Sequence, residues 1–352
     1  VAQCDEGELD AMALVKARDL PEEQHAMLRE AFDRQEILFL CDNLDRCGQH
    51  YKTIASYLVN TLSTTARIVV TAGLARFKHQ HLFARFGVVQ LDVLSPDVQR
   101  KTGRARLSSG KHEGFEKILA KPAVGLFATT PLTLCMVIEL YSSGKMEEKR
   151  SSSRAGLYEQ CAHLMIDRLS RGSTSPRDGG LSGGSESKFW LLLEALAYSL
   201  HTRGARDFEE EDVRELGEDE YELWRGVVPL LRSCAAPILC QLPPTEVAVP
   251  ESPEVENGSI RGTWRFTHVA LQEFFFAAAL MKRLEAEVDL SSRQVARETT
   301  NSILADKLYN EWFREPLLIV ASCAEDQLLG SIVDCVLSGA DTSGANEMLA
   351  LR

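Results

Sequence analysis

A short apolar run that ends in acidic residues constrains the fold of this chain more than any other feature. Residues 36–41 read EILFLC and are followed by Asp42 and, three residues further on, Asp45. A run this short and this continuously apolar is typical of a strand buried in a parallel sheet. Two further apolar runs lie at 67–71 and 88–91. A segment with helical spacing, at 48–63, lies between the first run and the run at 67–71. Strand, helix and strand at this spacing predict a parallel sheet with right-handed crossovers.

The two acids after the first run have the arrangement of a Walker B element. A buried strand would hold Asp42 at the carboxyl edge of the sheet, where open α/β sheets bind their ligands. The pattern predicts Asp42 as a Mg²⁺ ligand, usually through water, and Asp45 as the residue that polarises an attacking water. The alternative is that Asp42 only caps the following helix. Thr71 ends the second run, where P-loop ATPases of the additional-strand class place a polar sensor of the γ-phosphate.

After residue 91 the apolar spacing becomes mainly helical. A hairpin is expected within 235–267, and a flexible Gly/Ser-rich linker within 171–187. Residues 266–280, FTHVALQEFFFAAAL, predict a buried helix that three polar residues interrupt near its start: His268, Gln272 and Glu273. Considered alone, this trio indicates a buried capping histidine beside solvated Gln and Glu.

Charge and composition exclude several classes of function. The chain has 39 Lys and Arg against 51 Asp and Glu, and its formal net charge of −12 makes general binding of nucleic acid or of anionic membranes unfavourable. The uncharged stretch 122–138 contains two prolines and is shorter than the roughly 20 residues that a spanning helix needs, so no membrane association is expected. Nine cysteines without a CxxC pair predict reduced thiols and a cytoplasmic protein.

Six segments in order resemble a NACHT-type STAND NTPase, the nucleotide-binding module of NOD-like receptors. They read ILFLCDNLDRC, RIVVTAGLARF, PLTLCMVIELY, SRAGLYEQCAHLMIDRL, LLLEALAYSL and FTHVALQEFFFAAAL. The FxHxxxQEF element is the most specific, and the resemblance extends over about residues 30–325. It implies an α/β fold, a truncated parallel-sheet P-loop NTPase core, followed by mostly α-helical and winged-helix domains.

The resemblance also implies domain boundaries along the chain. The expected segments are a partial nucleotide-binding core at 1–94, a helical domain at 95–142, a helix with a flexible linker at 143–185, a winged-helix domain with an acidic insertion and a hairpin at 186–285, and a C-terminal helical region at 286–352.

Site residues follow from the resemblance position by position. Asp42 matches the magnesium acid and Asp45 the second, catalytic acid of Walker B. Thr71 matches sensor 1, Pro131 matches the proline that lies against the adenine, and His268 matches the winged-helix histidine that contacts a phosphate in the closed state. The implied cofactors are ATP or ADP with Mg²⁺, bound by the parent protein.

The chain departs from the family pattern beside the two acids and after the sensor. Asn43 stands where the family has glycine, Arg46 where it has a further acid, and Gly73 where it has the sensor arginine, with Arg76 nearby. These departures from the family pattern affect the expected ATP hydrolysis more than the expected fold.

The Walker A loop, GxxxxGK[ST], is missing from the sequence. Its backbone N–H groups and lysine hold the phosphates, and it precedes Walker B in the family. The two Gly-Lys pairs of this chain, at 110–111 and 144–145, come after Walker B and follow no predicted strand. We therefore expect this polypeptide alone to bind no nucleotide tightly and to be inactive in hydrolysis.

The sequence predicts a fragment of an ADP/ATP-switched signalling protein whose domains control oligomerisation. Expected partners are another copy, other proteins and the missing N-terminal P-loop segment. One alternative is an interaction scaffold that uses the same domains without nucleotide. Another is a replication-initiator-type ATPase whose winged helix binds DNA, which the charge of −12 and the FxHxxxQEF element disfavour.

Overall fold

The computed structural model describes residues 22–42, 44, 51–72, 84–171, 184–234, 237–242, 262–288, 293–308 and 310–342. The chain divides into two compact units, Val1–Asp92 and Val93–Arg352. The described part is mostly helical and contains two small sheets. No helix in these ranges combines the length and the apolar character needed to cross a membrane. The finer domain boundaries inferred from the sequence remain predictions.

The first unit contains a two-stranded parallel sheet. Its elements are α1 (Glu22–Asp33), β1 (Leu38–Cys41), α2 (Tyr51–Tyr57), a π-helical turn (Leu58–Leu62), a last helical turn (Ser63–Thr65) and β2 (Arg67–Val70). Leu38 pairs with Arg67 and Cys41 with Val70, so both strands run to the same edge. The strand–helix–strand order predicted from the first two apolar runs is therefore confirmed.

One face of this sheet is covered and the other is open. Strand alternation sends Phe39, Cys41, Ile68 and Val70 toward a small core. That core consists of Leu44, Ala55, Leu58, Val59 and Leu62. The opposite face carries Leu38, Leu40 and Val69, which are 54%, 72% and 49% exposed. We call these three residues the open sheet face.

The third predicted strand, at 88–91, is wrong. Residues 87–95 are described and form neither helix nor strand, and Val89 and Leu91 are 84% and 92% exposed. A run of β-branched residues has strand propensity, but a strand exists only where a neighbour accepts its backbone hydrogen bonds. Here no strand of the described sheet does so.

The second unit is a helical assembly with a three-stranded antiparallel sheet. Its first helices are α3 (Pro96–Arg106), α4 (His112–Leu119), α5 (Pro122–Phe127), α6 (Pro131–Ser142), α7 (Arg154–Arg171) and α8 (Ser185–Thr202). Next come β3 (Asp207–Phe208), α9 (Glu210–Arg214), α10 (Glu218–Ser233), β4 (Leu239–Gln241) and β5 (Trp264–Phe266). The last are α11 (Val269–Glu287), α12 (Arg293–Leu304), a 3₁₀ turn (Glu311–Phe313), α13 (Arg314–Cys323) and α14 (Asp326–Thr342).

The sheet of the second unit has the order β3-β5-β4, with β5 in the centre. The pairing of β4 with β5 confirms the hairpin expected within 235–267. Apolar spacing at 315–337 predicts one helix, but the chain forms two, because it leaves helical geometry after Cys323 and starts again at Asp326. Its apolar spacing continues through this break, so spacing alone does not locate it.

A single large core holds the second unit together, and α11 lies at its centre. Phe275 and Phe276 are fully buried, and the Phe275 ring lies 4.9 Å from that of Trp190. Trp224 and Trp264 meet edge to face at 5.1 Å and attach α10 to β5. His201 of α8 stacks on Trp312, and the pair exchanges two hydrogen bonds, from Trp312 Nε1 to the His201 carbonyl at 2.8 Å and between His201 Nε2 and the Trp312 carbonyl at 2.9 Å.

Candidate functional site

The carboxyl edge of the β1–β2 sheet brings Asp42 and Thr71 together. Each residue directly follows its strand, and the parallel pairing places both at the same edge. The Thr71 N–H donates to the Cys41 carbonyl, and the Leu44 N–H donates to the Thr71 carbonyl, both at 2.9 Å. The Thr71 hydroxyl donates to Asp42 Oδ1. The two polar residues predicted at the ends of separate strands are thus joined by a hydrogen bond.

The chemistry of this pair suits an exposed ligand. Asp42 and Thr71 are both exposed, while Leu44 is only 3% exposed and anchors the segment that follows β1. A carboxylate at a sheet edge can hold Mg²⁺, which keeps several waters and needs only one or two protein carboxylates beside substrate phosphates. Within the described ranges no group of three or more His, Cys, Asp or Glu could hold a metal by itself. Asp42 thus offers one exposed carboxylate at this edge of the sheet.

Asp45, the predicted catalytic acid, lies outside the described residues. The same is true of Asn43, Arg46, Gly73 and Arg76, where the sequence departs from the family pattern. Their roles stay predictions from the sequence.

Pro131 begins α6 and is exposed there. Proline suits this first helical position, because its missing N–H would have no partner in the helix. Thr130 caps the helix: its hydroxyl accepts from the Thr133 N–H at 3.3 Å, and the Thr133 hydroxyl accepts from the Thr130 N–H at 3.2 Å. The ring of Pro131 is consequently a rigid apolar surface at a fixed helix start.

His268 caps α11, two residues after β5 ends. Its Nδ1 accepts a hydrogen bond from the Ala270 N–H at 3.1 Å, and the residue is exposed. Because Nδ1 is the acceptor, the neutral imidazole carries its proton on Nε2, which is then a donor. His268 therefore caps the helix, as the sequence-based alternative of a buried capping histidine predicts, but it is exposed and not buried.

Gln272 and Glu273 were both expected in solvent, but Gln272 is buried and Glu273 is half-buried. Gln272 is 1% exposed and donates from Nε2 to the Ala205 carbonyl at 2.8 Å. Burial raises the pKa of the Glu273 carboxyl to about 7; Glu315 raises it further, while Arg206 and Arg154 oppose the shift. The spacing could have revealed Gln272, since it precedes the buried Phe275 and Phe276 by three and four residues and shares their helix face.

The four described site residues lie in two units. Asp42 and Thr71 belong to the first unit, and Pro131 and His268 belong to the second, where each stands at the start of a helix. The structure thus brings together two of the five predicted site residues, Asp42 and Thr71, and places two others at helix starts.

A groove of about 940 Å³ in the second unit is separate from these residues. It lies among α7, α8, α11 and α13, and none of the four predicted site residues that the structure describes lines it. His163 stacks on Trp190 there, with ring centroids 4.4 Å apart. Glu194 accepts from Trp190 Nε1 and from Lys282 Nζ, both at 2.7 Å. Glu194 therefore joins Trp190 and Lys282 at the wall of this groove.

Comparisons with known proteins give no assignment: no protein-family model and no curated protein matches this chain.

Proposed function

We propose that this chain is part of a nucleotide-switched signalling protein of the NACHT type, in which bound ADP or ATP sets how the domains pack and whether copies assemble. The observation that carries the proposal is the Asp42–Thr71 pair at the carboxyl edge of two parallel strands. Ligands of open α/β sheets bind at this edge. On this proposal the first unit is the remaining part of a parallel-sheet P-loop core.

The roles of the pair follow from its hydrogen bond. Mg²⁺ would neutralise the charge of nucleotide phosphates beside the Asp42 carboxylate. The Thr71 hydroxyl donates to Asp42 Oδ1. Turning that donor toward a phosphate oxygen would make Thr71 sense whether a γ-phosphate is present. Asp45 is proposed to polarise the attacking water.

The second unit would take part through Pro131 and His268. The exposed Pro131 ring offers an apolar surface for an adenine, and the His268 Nε2–H offers a donor for a phosphate oxygen. The segment 186–285 is proposed to be a winged-helix domain that His268 links to the nucleotide. Such a contact would exist only when the domains are closed, so nucleotide would shift the population between closed and open forms.

The phosphate cradle is proposed to come from a segment outside this sequence. This chain alone should therefore bind neither ATP nor ADP with micromolar affinity in a calorimetric titration. Sequencing the transcript upstream of the codon for Val1 gives the second test, because it either encodes GxxxxGK[ST] or does not.

The decisive experiment uses the protein with that segment present. Nucleotide released from the purified protein by acid is quantified for the wild type, for Asp42→Asn and for Thr71→Val. We expect both variants to lose nucleotide, while the control Asp97→Asn, an exposed acid in the first turn of α3, retains it. Wild-type occupancy in both variants would refute the proposed role of the sheet edge.

A scaffold that uses the same domains without nucleotide is the second candidate. It is favoured by the absence of GxxxxGK[ST] from all 352 residues and by the open sheet face. A natural transcript without a P-loop, together with a monomeric and cooperatively melting preparation of this chain, would favour the scaffold over the switch.

A further inference from the structure

Two helical regions of the second unit carry opposite charge. The first is residues 95–121, which include α3 and α4 and contain seven lysines and arginines but only three acids. The seven cations are Arg100, Lys101, Arg104, Arg106, Lys111, Lys117 and Lys121. We call this region the basic helix pair. It is positive in a chain whose formal net charge is −12.

The helices α3 and α4 pack closely, so their charges lie near one another. Gly103 of α3 is buried, and a side chain at this position would collide with the ring of Phe115 of α4. Arg104 Nε donates to Glu116 Oε1 at 2.6 Å and joins the two helices. The basic helix pair is therefore a packed surface and not a run of separate charges along the chain.

The second region is negative and includes α9 and the start of α10. Residues 207–222 contain ten acids and one arginine, and we call this region the acidic helix pair. Helix dipoles favour acids in the first turn of a helix, and six of the ten acids stand there. Glu215 lies instead at the C-cap of α9, where the dipole disfavours an acid. Helix stabilisation therefore does not account for the whole excess of negative charge.

The two regions do not neutralise each other within one copy. The ion pairs of the basic helix pair are made with acids of the same helices or of the segment after α6, namely Asp97, Glu116, Glu113 and Glu148. Lys101 and Arg106 are exposed and form no ion pair with a residue that the structure describes. The same is true of Glu215, Glu218 and Asp219 in the acidic helix pair.

We propose that the basic helix pair of one copy docks on the acidic helix pair of a second copy. Two copies that each carry a net charge of −12 repel one another, unless surfaces of opposite charge face each other. The charge complementarity of these two regions therefore selects a second copy as the partner.

The proposed contact is heterologous, because the two helix pairs are different surfaces of the same unit. Each copy uses its basic helix pair toward one neighbour and its acidic helix pair toward the next. Such contacts form a ring where the rotation closes and a filament where it does not. Assembly is part of the proposed function, so the contact rests on that part of it and not on nucleotide binding.

Salt distinguishes this contact from association through the open sheet face. Ions screen exposed charges, and the screening length falls from about 30 Å at roughly 10 mM salt to about 10 Å at roughly 100 mM salt. An apolar contact is not weakened by this screening.

The test compares the full chain with two variants that neutralise exposed charges. The basic variant is Lys101→Gln/Arg106→Gln, and the acidic variant is Glu218→Gln/Asp219→Asn. Self-association is measured by light scattering at roughly 10 mM and roughly 100 mM salt.

The first unit supplies a matched control for each variant. Arg29→Gln/Lys52→Gln removes two exposed cations, and Glu22→Gln/Glu23→Gln removes two adjacent exposed acids from the first turn of α1. Each control changes the net charge of the chain by the same amount as its variant does.

The wild type should associate at the lower salt concentration and about tenfold more weakly at the higher one. At the lower concentration each variant should associate about tenfold more weakly than the wild type, and each control should stay within about twofold of it. The acidic variant is decisive. Removing negative charge from a protein of net charge −12 strengthens association through general repulsion, so only the loss of a specific contact weakens it. Mixing the two variants should restore a salt-sensitive one-to-one complex, because each retains one intact helix pair.

Several results would overturn the proposed contact. They are a wild type that is monomeric at low salt, association that salt does not weaken, and an acidic variant that associates as strongly as the wild type. Loss of association in the basic variant alone would assign α3 and α4 to an acidic partner other than this chain. If the acidic variant melts below the wild type, Glu215→Gln replaces it with the same expected results, since neutralising an acid at a helix C-cap does not weaken α9. None of these results affects the nucleotide-retention test of Asp42→Asn and Thr71→Val.

Discussion

The two units of this protein differ in how much of their apolar surface they bury. The second unit buries the apolar side chains of α11 and joins its helices in one continuous core. The first unit covers one face of a two-stranded sheet with a small core and leaves Leu38, Leu40 and Val69 in solvent. Exposed apolar side chains on one sheet face favour association with another chain segment.

We expect the second unit to determine the stability of the protein and the first unit to determine its self-association. Burial of apolar side chains stabilises the second unit, whereas the open sheet face of the first unit favours association with another chain. All four tryptophans lie in the second unit, so tryptophan fluorescence reports the unfolding of that unit alone. Far-ultraviolet circular dichroism reports both units, and the two probes together test each side of the comparison.

The largest effect is expected from the core of the second unit. Phe275→Ala removes a fully buried ring that packs on Trp190, Phe274 and Phe266. We expect the free energy of unfolding, measured by urea titration with tryptophan fluorescence, to fall by about 3–5 kcal/mol. The control Leu191→Ala truncates a 55% exposed side chain and should change it by about 0.5 kcal/mol or less. A loss below about 1 kcal/mol in Phe275→Ala would contradict the central role of α11.

The next effect concerns association through the open sheet face. The double variant Leu38→Lys/Leu40→Lys places two charges on it, and we expect self-association, measured by light scattering, to weaken about tenfold or more. Stability should change by about 0.5 kcal/mol or less, because both side chains are exposed. The matched control Leu126→Lys alters a leucine in the second unit that is 76% exposed. Equal weakening in the control would show that the association is not specific to the sheet.

His268 gives a smaller effect with two separable parts. His268→Ala removes the cap of α11 and should lower the unfolding free energy by about 1 kcal/mol. His268→Asn keeps a capping side chain and should recover most of that loss. In the protein with its P-loop segment, both variants should retain less ADP on purification and oligomerise more, because neither presents an imidazole N–H. If only His268→Ala loses ADP, the residue acts as a cap and not as a phosphate contact.

The smallest expected effect is on the Asp42–Thr71 hydrogen bond itself. Thr71→Val removes the donor at nearly constant volume and should destabilise the first unit by about 0.5–1.5 kcal/mol. Thr71→Ser keeps the hydroxyl and serves as the control. Because tryptophan fluorescence does not report this unit, the measurement is amide exchange of Leu44 and Thr71, whose N–H groups bond across the strand ends. Slower exchange in Thr71→Val than in Thr71→Ser would contradict the prediction.

The sequence predicted helices and strands better where local apolar spacing determines them than where pairing with another strand determines them. The strands at 38–41 and 67–70 and most helices follow from apolar periodicity. The run at 88–91 (VVQL) has three apolar residues, as β2 (RIVV) does, but no described strand pairs with it, and composition does not reveal that. β3 has only two residues, Asp207 and Phe208, and exists because β5 pairs with it.

The candidate site shows the same division. The meeting of Asp42 with Thr71 was predictable, because parallel strands bring their carboxyl ends to one edge. The partial burial of Glu273 was not, because the groups around it lie more than 100 residues earlier, at Arg154, and about 40 residues later, at Glu315.

The reciprocal hydrogen bonds between His201 and Trp312 carry a consequence for synthesis on the ribosome. They connect backbone and side chains 111 residues apart, and the His201 ring also packs on Phe276 and Phe313. Until Phe313 has left the exit tunnel, α8 and α11 expose an aromatic surface that has no cover. The core of the second unit therefore closes late, and the nascent chain passes through an interval in which chaperone binding competes with folding.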